Sequence, residues 1–142
     1  MKIKKIVYLF LVIGIFSCSN KDDDDNAINC DKQVVISIDE YNTAPDDALA
    51  INELEINENC LKINFSASGC DGGSWVLTLI DSGDIMESQP PQRTLRLSLK
   101  DEEECEAYIT KELTFDISDL MVDGNQVLLN ITNSNDQLLY EY

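Results

Sequence analysis

Short stretches that alternate between apolar and polar residues recur from residue 33 to the last residue, and each predicts a half-buried β-strand. Two of them, 61–67 and 94–100, alternate without interruption. The stretch 42–50 differs, because a proline followed by acidic residues predicts at most one helical turn there. Seven or eight strands are expected, at residues 33–39, 51–56, 60–67, 75–81, 94–100, 107–118, 126–132 and 137–142.

Turn signals between these stretches predict three hairpins. Asn57-Glu58-Asn59 joins the second strand to the third, residues 82–91 join the fourth to the fifth, and residues 133–136 join the last two. Matching the apolar positions across each turn fixes a predicted register. The predicted pairs are Leu54 with Ile63, Ile56 with Leu61, Trp75 with Asp101, Ile131 with Leu138, Leu129 with Tyr140, and Val127 with Tyr142.

The alternation also predicts which strand faces are buried. Residues 75–81 carry apolar side chains on both faces, which is typical of a strand inside a sheet. Residues 94–100 have leucines on one face and a solvated opposite face, formed by Arg96, Ser98 and Lys100. Residues 33–39 have one apolar face, formed by Val34, Ile36 and Ile38.

Many short strands, frequent turns and no amphipathic run of helical length predict an all-β fold. We expect an antiparallel β-sandwich of immunoglobulin-like architecture, formed by a single domain over residues 30–142. About 110 residues are enough to fill a core between two sheets.

The first 17 residues have the pattern of a secretory signal peptide. Lys2, Lys4 and Lys5 form a basic start, and an unbroken apolar run follows at residues 6–16. That run of eleven residues is well short of the roughly 20 needed to cross a bilayer core. We therefore interpret residues 1–17 as a cleaved signal peptide.

The residues at the cut site add a resemblance to known export signals. Ile15-Phe16-Ser17-Cys18 resembles a bacterial lipobox, although Phe16 is bulkier than the usual residue at its position. Ser19-Asn20-Lys21-Asp22-Asp23 resembles the lysine-plus-acidic signal that exports lipoproteins to the cell surface in Bacteroidota.

This resemblance, confined to residues 1–25, implies where the protein works. It implies a lipoprotein attached through Cys18 to the outer membrane and exported to the cell surface by the signal of Lys21, Asp22 and Asp23. Residues 18–29 would then form a lipidated acidic tether with nothing to bury. The membrane is thus an expected partner through the lipid anchor.

The other four cysteines predict two disulfides, as expected of an exported domain. Cys60 and Cys70 flank a predicted strand, so they lie too far apart to be bridged. Extending the ladder from Trp75 and Asp101 brings Cys70 close to Cys105. The predicted pairs are therefore Cys70–Cys105 and Cys30–Cys60. A zinc site is disfavoured by the wide cysteine spacing and the lack of histidine.

The charge of the chain excludes several classes of partner. After Ser17 there are seven basic and 27 acidic residues, a formal charge of −20. Such a surface repels phosphates, so nucleic acid and direct docking on anionic headgroups are not expected.

The residues that usually carry catalysis are also missing. The chain has no histidine, which removes the commonest general base at neutral pH. Its many carboxylates lie at turns or on predicted solvated faces, unlike a glycosidase pair in a deep groove. Acidic stretches such as 101–104 could supply oxygen ligands to a calcium ion, but none has the spacing of a calcium-binding loop. We expect no enzyme activity, no cofactor and no metal.

Two segments remain as candidate binding sites. The glycine-rich stretch 68–75 could form a ligand loop with Asp71 as a polar anchor and Trp75 as a stacking face. Its alternative is a tight disulfide-pinned turn with Trp75 in the core. Arg93 and Arg96 follow a proline pair and could contact an anionic group. Alternatively, they pair with neighbouring acids.

The sequence favours a non-catalytic surface binding or accessory module whose partner is a protein, a glycan or other extracellular material. A structural component of an outer-membrane complex is the alternative, followed by a small hydrolase or inhibitor.

Overall fold

A computed structural model describes residues 29–142. The predicted signal peptide 1–17, the lipidation site Cys18 and the export residues Lys21, Asp22 and Asp23 lie outside the described residues, as does the predicted tether except Asn29.

The described residues form nine strands, one α-helix and one 3₁₀ turn. The helix α1 covers Ile38–Thr43, and the 3₁₀ turn covers Ser118–Leu120. The strands are β1 (Lys32–Gln33), β2 (Val35–Ile36), β3 (Ala50–Asn57), β4 (Cys60–Gly69), β5 (Val76–Met86), β6 (Gln92–Lys100), β7 (Ala107–Asp116), β8 (Gln126–Ile131) and β9 (Asp136–Glu141).

These strands form two sheets around one apolar core. One sheet has the order β1-β7-β4-β3 and the other β2-β5-β6-β8-β9. Fully buried side chains from both sheets enter the core, including Phe65 and Phe115 from the first and Leu79 and Leu97 from the second. The protein is therefore mostly β, as predicted, with two sheets and a shared interior.

The prediction of a purely antiparallel fold is wrong. The pairs β1–β7, β2–β5 and β6–β8 are parallel. The chain changes sheet after β1, β2, β4, β6 and β7, and the parallel neighbours are strands separated by such changes. Alternation within a strand predicts which face is buried but not which distant strand lies beside it.

The predicted strand 33–39 is also wrong. Its residues form two strands of two residues each, in different sheets, and then the start of α1. Val34 is buried as predicted, but Ile36 and Ile38 are 45% and 49% exposed. The hydroxyl of Ser37 accepts a hydrogen bond from the Glu40 N–H at 3.2 Å and so caps the helix that replaces the predicted strand.

Two of the three predicted hairpins are confirmed with their register. Leu54 lies opposite Ile63 and Ile56 opposite Leu61. Val76 pairs with Lys100, and continuing this register by one residue places Trp75 opposite Asp101, as predicted. The third hairpin forms, but its register is shifted by two residues: Leu129 pairs with Leu138, and Val127 with Tyr140. A shift of two keeps every side chain on its face, so the apolar pattern fits both registers.

The face of β6 predicted to be solvated is covered at two of its three positions. Ser98 is buried, and its hydroxyl donates to the Pro45 carbonyl at 2.6 Å. Arg96 lies under the end of α1, whereas Lys100 is exposed as predicted. The segment from α1 to Asp47 therefore packs over part of this face. β6 is the middle strand of its sheet, and β5 lies inside the sheet between β2 and β6, as predicted.

Both predicted disulfides are present, Cys30–Cys60 and Cys70–Cys105, with Cα–Cα distances of 5.7 Å and 4.7 Å. Cys60 begins β4, and Cys70 directly follows it, so this buried strand is cross-linked at both ends.

Candidate binding groove

The glycine-rich stretch forms a nest of backbone N–H groups around a carboxylate of the same chain. Glu103 Oε2 accepts from three of them at 2.5–3.2 Å, and its Oε1 accepts from a fourth at 3.3 Å and from a hydroxyl at 3.1 Å. The donors are the N–H groups of Cys70, Asp71, Gly72 and Ser74 and the Ser74 hydroxyl. The Gly72 N–H, with the other donors, lowers the pKa of Glu103 to about 2.

This nest makes the loop a turn closed by its own chain. Asp71 accepts a hydrogen bond from the Gly73 N–H at 2.7 Å, so its carboxylate stabilises the turn. Gly72 has a φ of +67°, and a Cβ there would lie 2.8 Å from Trp75 and from Lys111. The Lys111 ammonium donates to the Gly72 carbonyl at 2.6 Å and lies 5.5 Å from the centroid of the Trp75 ring. Ligand binding by Asp71 stays a prediction.

Trp75 is only 8% exposed and packs in the core, with its ring centroid 6.1 Å from that of Phe65. The Trp75 ring therefore has no open face on which a ligand could stack.

Arg96 binds the segment that covers β6. Its guanidinium donates to the carbonyl of Tyr41, in the last turn of α1, at 2.8 Å. It also donates to the carbonyl of Ala44, just after α1, at 3.1 Å. The guanidinium carbon also lies 5.8 Å from the Tyr41 ring centroid. Cations are favoured at the C-terminal end of a helix, so Arg96 anchors α1 to the sheet.

Arg93 is 7% exposed and forms a buried ion pair with Asp81 of β5, at 3.0 Å. Its Nε donates to the Leu120 carbonyl at 2.9 Å. Burial raises the pKa of Asp81, and Arg93 acts in the opposite direction. Arg93 therefore links strand β5 to the 3₁₀ turn, two segments that are distant in the sequence.

A β-bulge lies between this ion pair and the end of β5. Asp81 pairs with Leu95 and Ile85 pairs with Arg93, so three residues of β5, from Ser82 to Asp84, face one residue of β6. Gly83, with a φ of +84°, supplies the left-handed conformation, and its N–H donates to Asp81 at 2.7 Å. Bulges bend a strand and redirect the residues that follow.

The redirected end of β5 forms one side of a groove. The cavity has a volume of about 700 Å³, within the range of about 300–1,000 Å³ typical of ligand sites. The segment after the 3₁₀ turn forms the other side. The lining residues are Ile85, Glu87, Ser88, Gln89, Pro91, Met121, Val122 and Asp123.

Hydrogen bonds hold both walls in place. The Tyr142 hydroxyl accepts from the Val122 N–H at 2.9 Å and donates to the Val122 carbonyl at 3.0 Å. On the opposite wall, the Ser88 hydroxyl donates to the Pro90 carbonyl at 2.6 Å. The Leu128 N–H of β8 donates to the Pro91 carbonyl at 2.9 Å. The groove is thus largely preformed.

The groove is lined by two ionisable side chains, Glu87 and Asp123, and both are acidic. The six basic residues at positions 29–142 all have partners elsewhere in the chain. Lys32 donates to the Leu77 carbonyl, Lys62 pairs with Glu55, Arg93 with Asp81, Arg96 with Asp46 and Lys100 with Glu102, and Lys111 donates to the Gly72 carbonyl. Glu87 and Asp123 have no ion-pair partner in this part of the chain.

The groove has the chemistry of a binding site. Ile85, Pro91, Met121 and Val122 form its apolar wall, and the carboxylates of Glu87 and Asp123 form its anionic rim. Within residues 29–142, no three His, Cys, Asp or Glu side chains are grouped so that they could hold a metal ion. No helix in the described part of the chain has the length and apolarity to cross a membrane.

The sequence reasoning missed the groove because its walls come from segments about 30 residues apart, joined through the buried Arg93. The one sequence signal was the proline pair at residues 90–91, which marks a rigid loop. Glu103 was missed too, although the predicted Cys70–Cys105 bridge places residues 101–104 beside the glycine loop.

Two solved structures resemble this fold at low sequence identity. One is a protein of unknown function, DUF1344, from Bacteroides vulgatus, with a TM-score of 0.52 and 15% identity over 78% of this chain and 56% of that chain. The other, from Parabacteroides distasonis, is described as "TOXIN related" and has a TM-score of 0.51 and 16% identity over 78% of this chain and 60% of that chain.

This chain therefore spans less than two thirds of the length of either structure. At such identity the likeness concerns the fold alone. No protein-family model and no curated protein matches the sequence.

Proposed function

We propose that this chain is a lipid-anchored, non-catalytic binding module of the outer membrane that faces the cell surface and binds its partner in the groove. The observation that carries the proposal is the groove itself: a preformed cavity of about 700 Å³ with exposed apolar side chains and two carboxylates that form no ion pair within residues 29–142. Ile85 and Met121 are 46% and 37% exposed.

The same proposal covers the finer architecture. A sandwich of immunoglobulin-like architecture would bind through loops at one end of its sheets. The groove is built in that way, since a hairpin loop and the segment after a 3₁₀ turn form its walls. Three parallel strand pairs distinguish this chain from the purely antiparallel form.

A binding role fits the residues better than catalysis does. All four cysteines at positions 29–142 are bridged, and the whole sequence has no histidine. Asp81, the most deeply buried carboxylate of the described chain, is held by Arg93 and the bulge and does not line the groove.

Lipid labelling of cells tests the anchor. Wild-type protein should incorporate an alkyne-tagged palmitate and fractionate with the outer membrane, whereas Cys18→Ala should take up no label. Replacing Lys21, Asp22 and Asp23 with alanine should leave the label but protect the protein from protease added to intact cells. Labelling that survives Cys18→Ala would overturn the anchor, and cleavage of the triple variant would overturn the export signal.

Photo-crosslinking from Met121 on living cells tests binding. We expect a discrete adduct with an extracellular protein or glycan. An adduct confined to the cell's own outer-membrane proteins would favour the alternative role as a component of an envelope complex.

A further inference from the structure

We propose that the groove binds a short segment of a partner protein in which a lysine or arginine lies beside a large apolar side chain. The inference rests on the proposed binding function and names the chemistry of its partner. The apolar wall, the anionic rim and the fixed backbone of the groove each support it.

The apolar part of the segment would contact a wall that leaves several hydrophobic side chains in solvent. Ile85 and Met121, which are 46% and 37% exposed, line the groove together with Pro91 and Val122. Methionine adapts its shape to different partners and is common at surfaces that bind peptides. Covering these side chains removes apolar area from water and favours association.

The basic residue of the segment would offset the negative charge of the two carboxylates that form the anionic rim. Glu87 and Asp123 both line the groove, so a cationic group bound there would be attracted to both carboxylates. Because the basic side chains of residues 29–142 are engaged elsewhere, these carboxylates have no cation of their own. The acidic excess of the chain also attracts a cationic segment over a longer range.

A peptide fits this groove better than a glycan does. Sugar rings are commonly stacked on aromatic faces, and the lining contains no Trp, Tyr or Phe. The exposed aliphatic side chains and the fixed, preformed walls instead suit an extended segment that brings its own apolar side chains. The volume of about 700 Å³ is that of a drug-sized site and suits a short segment.

The test uses the full chain in detergent and a fluorescein-labelled hexapeptide of alternating arginine and leucine. Matched peptides replace leucine with serine or arginine with glutamate. Fluorescence anisotropy should show saturable binding of the first peptide and at least tenfold weaker binding of the other two. Raising the ionic strength should weaken the first peptide's binding, because salt screens exposed charges. Equal affinity for the serine peptide would overturn the inference.

Two matched pairs of variants locate the site. Glu87→Gln/Asp123→Asn should weaken binding about tenfold, or about 1.4 kcal/mol for the two exposed charges together. Glu104→Gln/Glu106→Gln removes the same charge from exposed positions outside the groove and should change affinity less than twofold. Equal losses in both variants would mean that binding is diffuse, and would overturn the site.

Apolar variants provide the second pair. Met121→Ser should weaken binding about fivefold or more, whereas Leu139→Ser, at a 45% exposed position outside the groove lining, should not. If groove variants lose no affinity for a partner captured on cells, the partner site is elsewhere: the inference and the groove as the binding site fail, although the role as a surface binding module stands. If no partner is captured on cells while the hexapeptide still binds the groove, the proposed function fails instead.

Discussion

The two ends of strand β5 show opposite uses of the same acidic residues. At its start, the carboxylate of Glu103 lies in a nest of backbone N–H groups next to the Cys70–Cys105 bridge. At its end, Glu87 and Asp123 line an open groove, and neither pairs with a basic side chain of residues 29–142. The ends are about 30 Å apart along the strand. One end is closed by the chain itself, and the other can accept a partner.

The difference comes from the backbone rather than from the acids. Glycines in the loop at 70–74 let several N–H groups point at one carboxylate. In the groove wall that carries Asp123, the N–H groups of the two preceding residues are already used: Met121 donates to the Ser118 carbonyl and Val122 to the Tyr142 hydroxyl. An acidic residue near spare donors stabilises the fold, and one near occupied donors remains available for binding.

The largest effect is expected at the groove end from Arg93→Ala. It leaves Asp81 buried without its cation and removes the link to Leu120. Unfolding in urea should show a loss of about 3–5 kcal/mol. Replacing both members, with Arg93→Met and Asp81→Leu, should cost much less, since no buried charge is left alone. A loss below about 1 kcal/mol for the single variant would show that Arg93 does not join the walls.

Removing the bridge tests the closed end. Cys70→Ser/Cys105→Ser opens a loop of 35 residues and should lower the free energy of unfolding by about 3–4 kcal/mol. Cys30→Ser/Cys60→Ser opens a loop of 30 residues and should cost a similar amount. NMR titration should show the pKa of Glu103 rising towards its ordinary value in the first variant and staying low in the second. The same pKa in both would mean that the nest forms without the bridge.

A smaller, pH-dependent effect is expected from Glu103→Gln. The native pKa of Glu103 is about 2, below its ordinary value of 4.5, so the carboxylate stabilises the folded state above about pH 4.5. That contribution is lost as the pH falls through the folded pKa. Urea midpoints should therefore differ most between wild type and variant near neutral pH and converge towards pH 2. Glu104→Gln is the control, and a difference independent of pH would contradict the nest.

The smallest effect is expected from neutralising the groove. Glu87→Gln/Asp123→Asn should leave the free energy of unfolding within about 0.5 kcal/mol of wild type, because no cation within residues 29–142 pairs with either carboxylate. Thermal unfolding would check this. A loss comparable to that of Glu103→Gln near neutral pH would show that these acids also hold the fold together.

The sequence was informative where a strand pairs with its neighbour along the chain. Alternation and turn residues predicted the pairing of Leu54 with Ile63, and the β5–β6 register then predicted the Cys70–Cys105 bridge. Near residue 37, the alternation of apolar and polar residues predicted a strand where the structure has the start of a helix. There the spacing of Ser37 and Glu40 is that of a helix cap, and Ile36 and Ile38, which the alternation assigned to an apolar strand face, are exposed in the structure.

Long-range pairing was beyond these signals. The alignment of β6 with β8 joins strands separated by a change of sheet, and nothing in their alternation specifies it. The groove depends on that alignment, since the Pro91 carbonyl accepts from Leu128. Arg93 was identified as a binding candidate, but its role in joining the walls required knowing that Leu120 returns to it. Its sequence neighbours suggested only a solvated face.

The Cys30–Cys60 bridge decides how this domain would bear mechanical load. A pull on the chain from the N-terminal side of Cys30 is transmitted through the bridge to Cys60, at the start of β4. β4 lies between β3 and β7 and is hydrogen-bonded on both edges, so the load is spread along a ladder of ten residues. The two-residue strands β1 and β2 lie inside the covalently closed loop and are spared. A tethered domain of this kind would resist tension through its best-supported strand, as long as the bridge is intact.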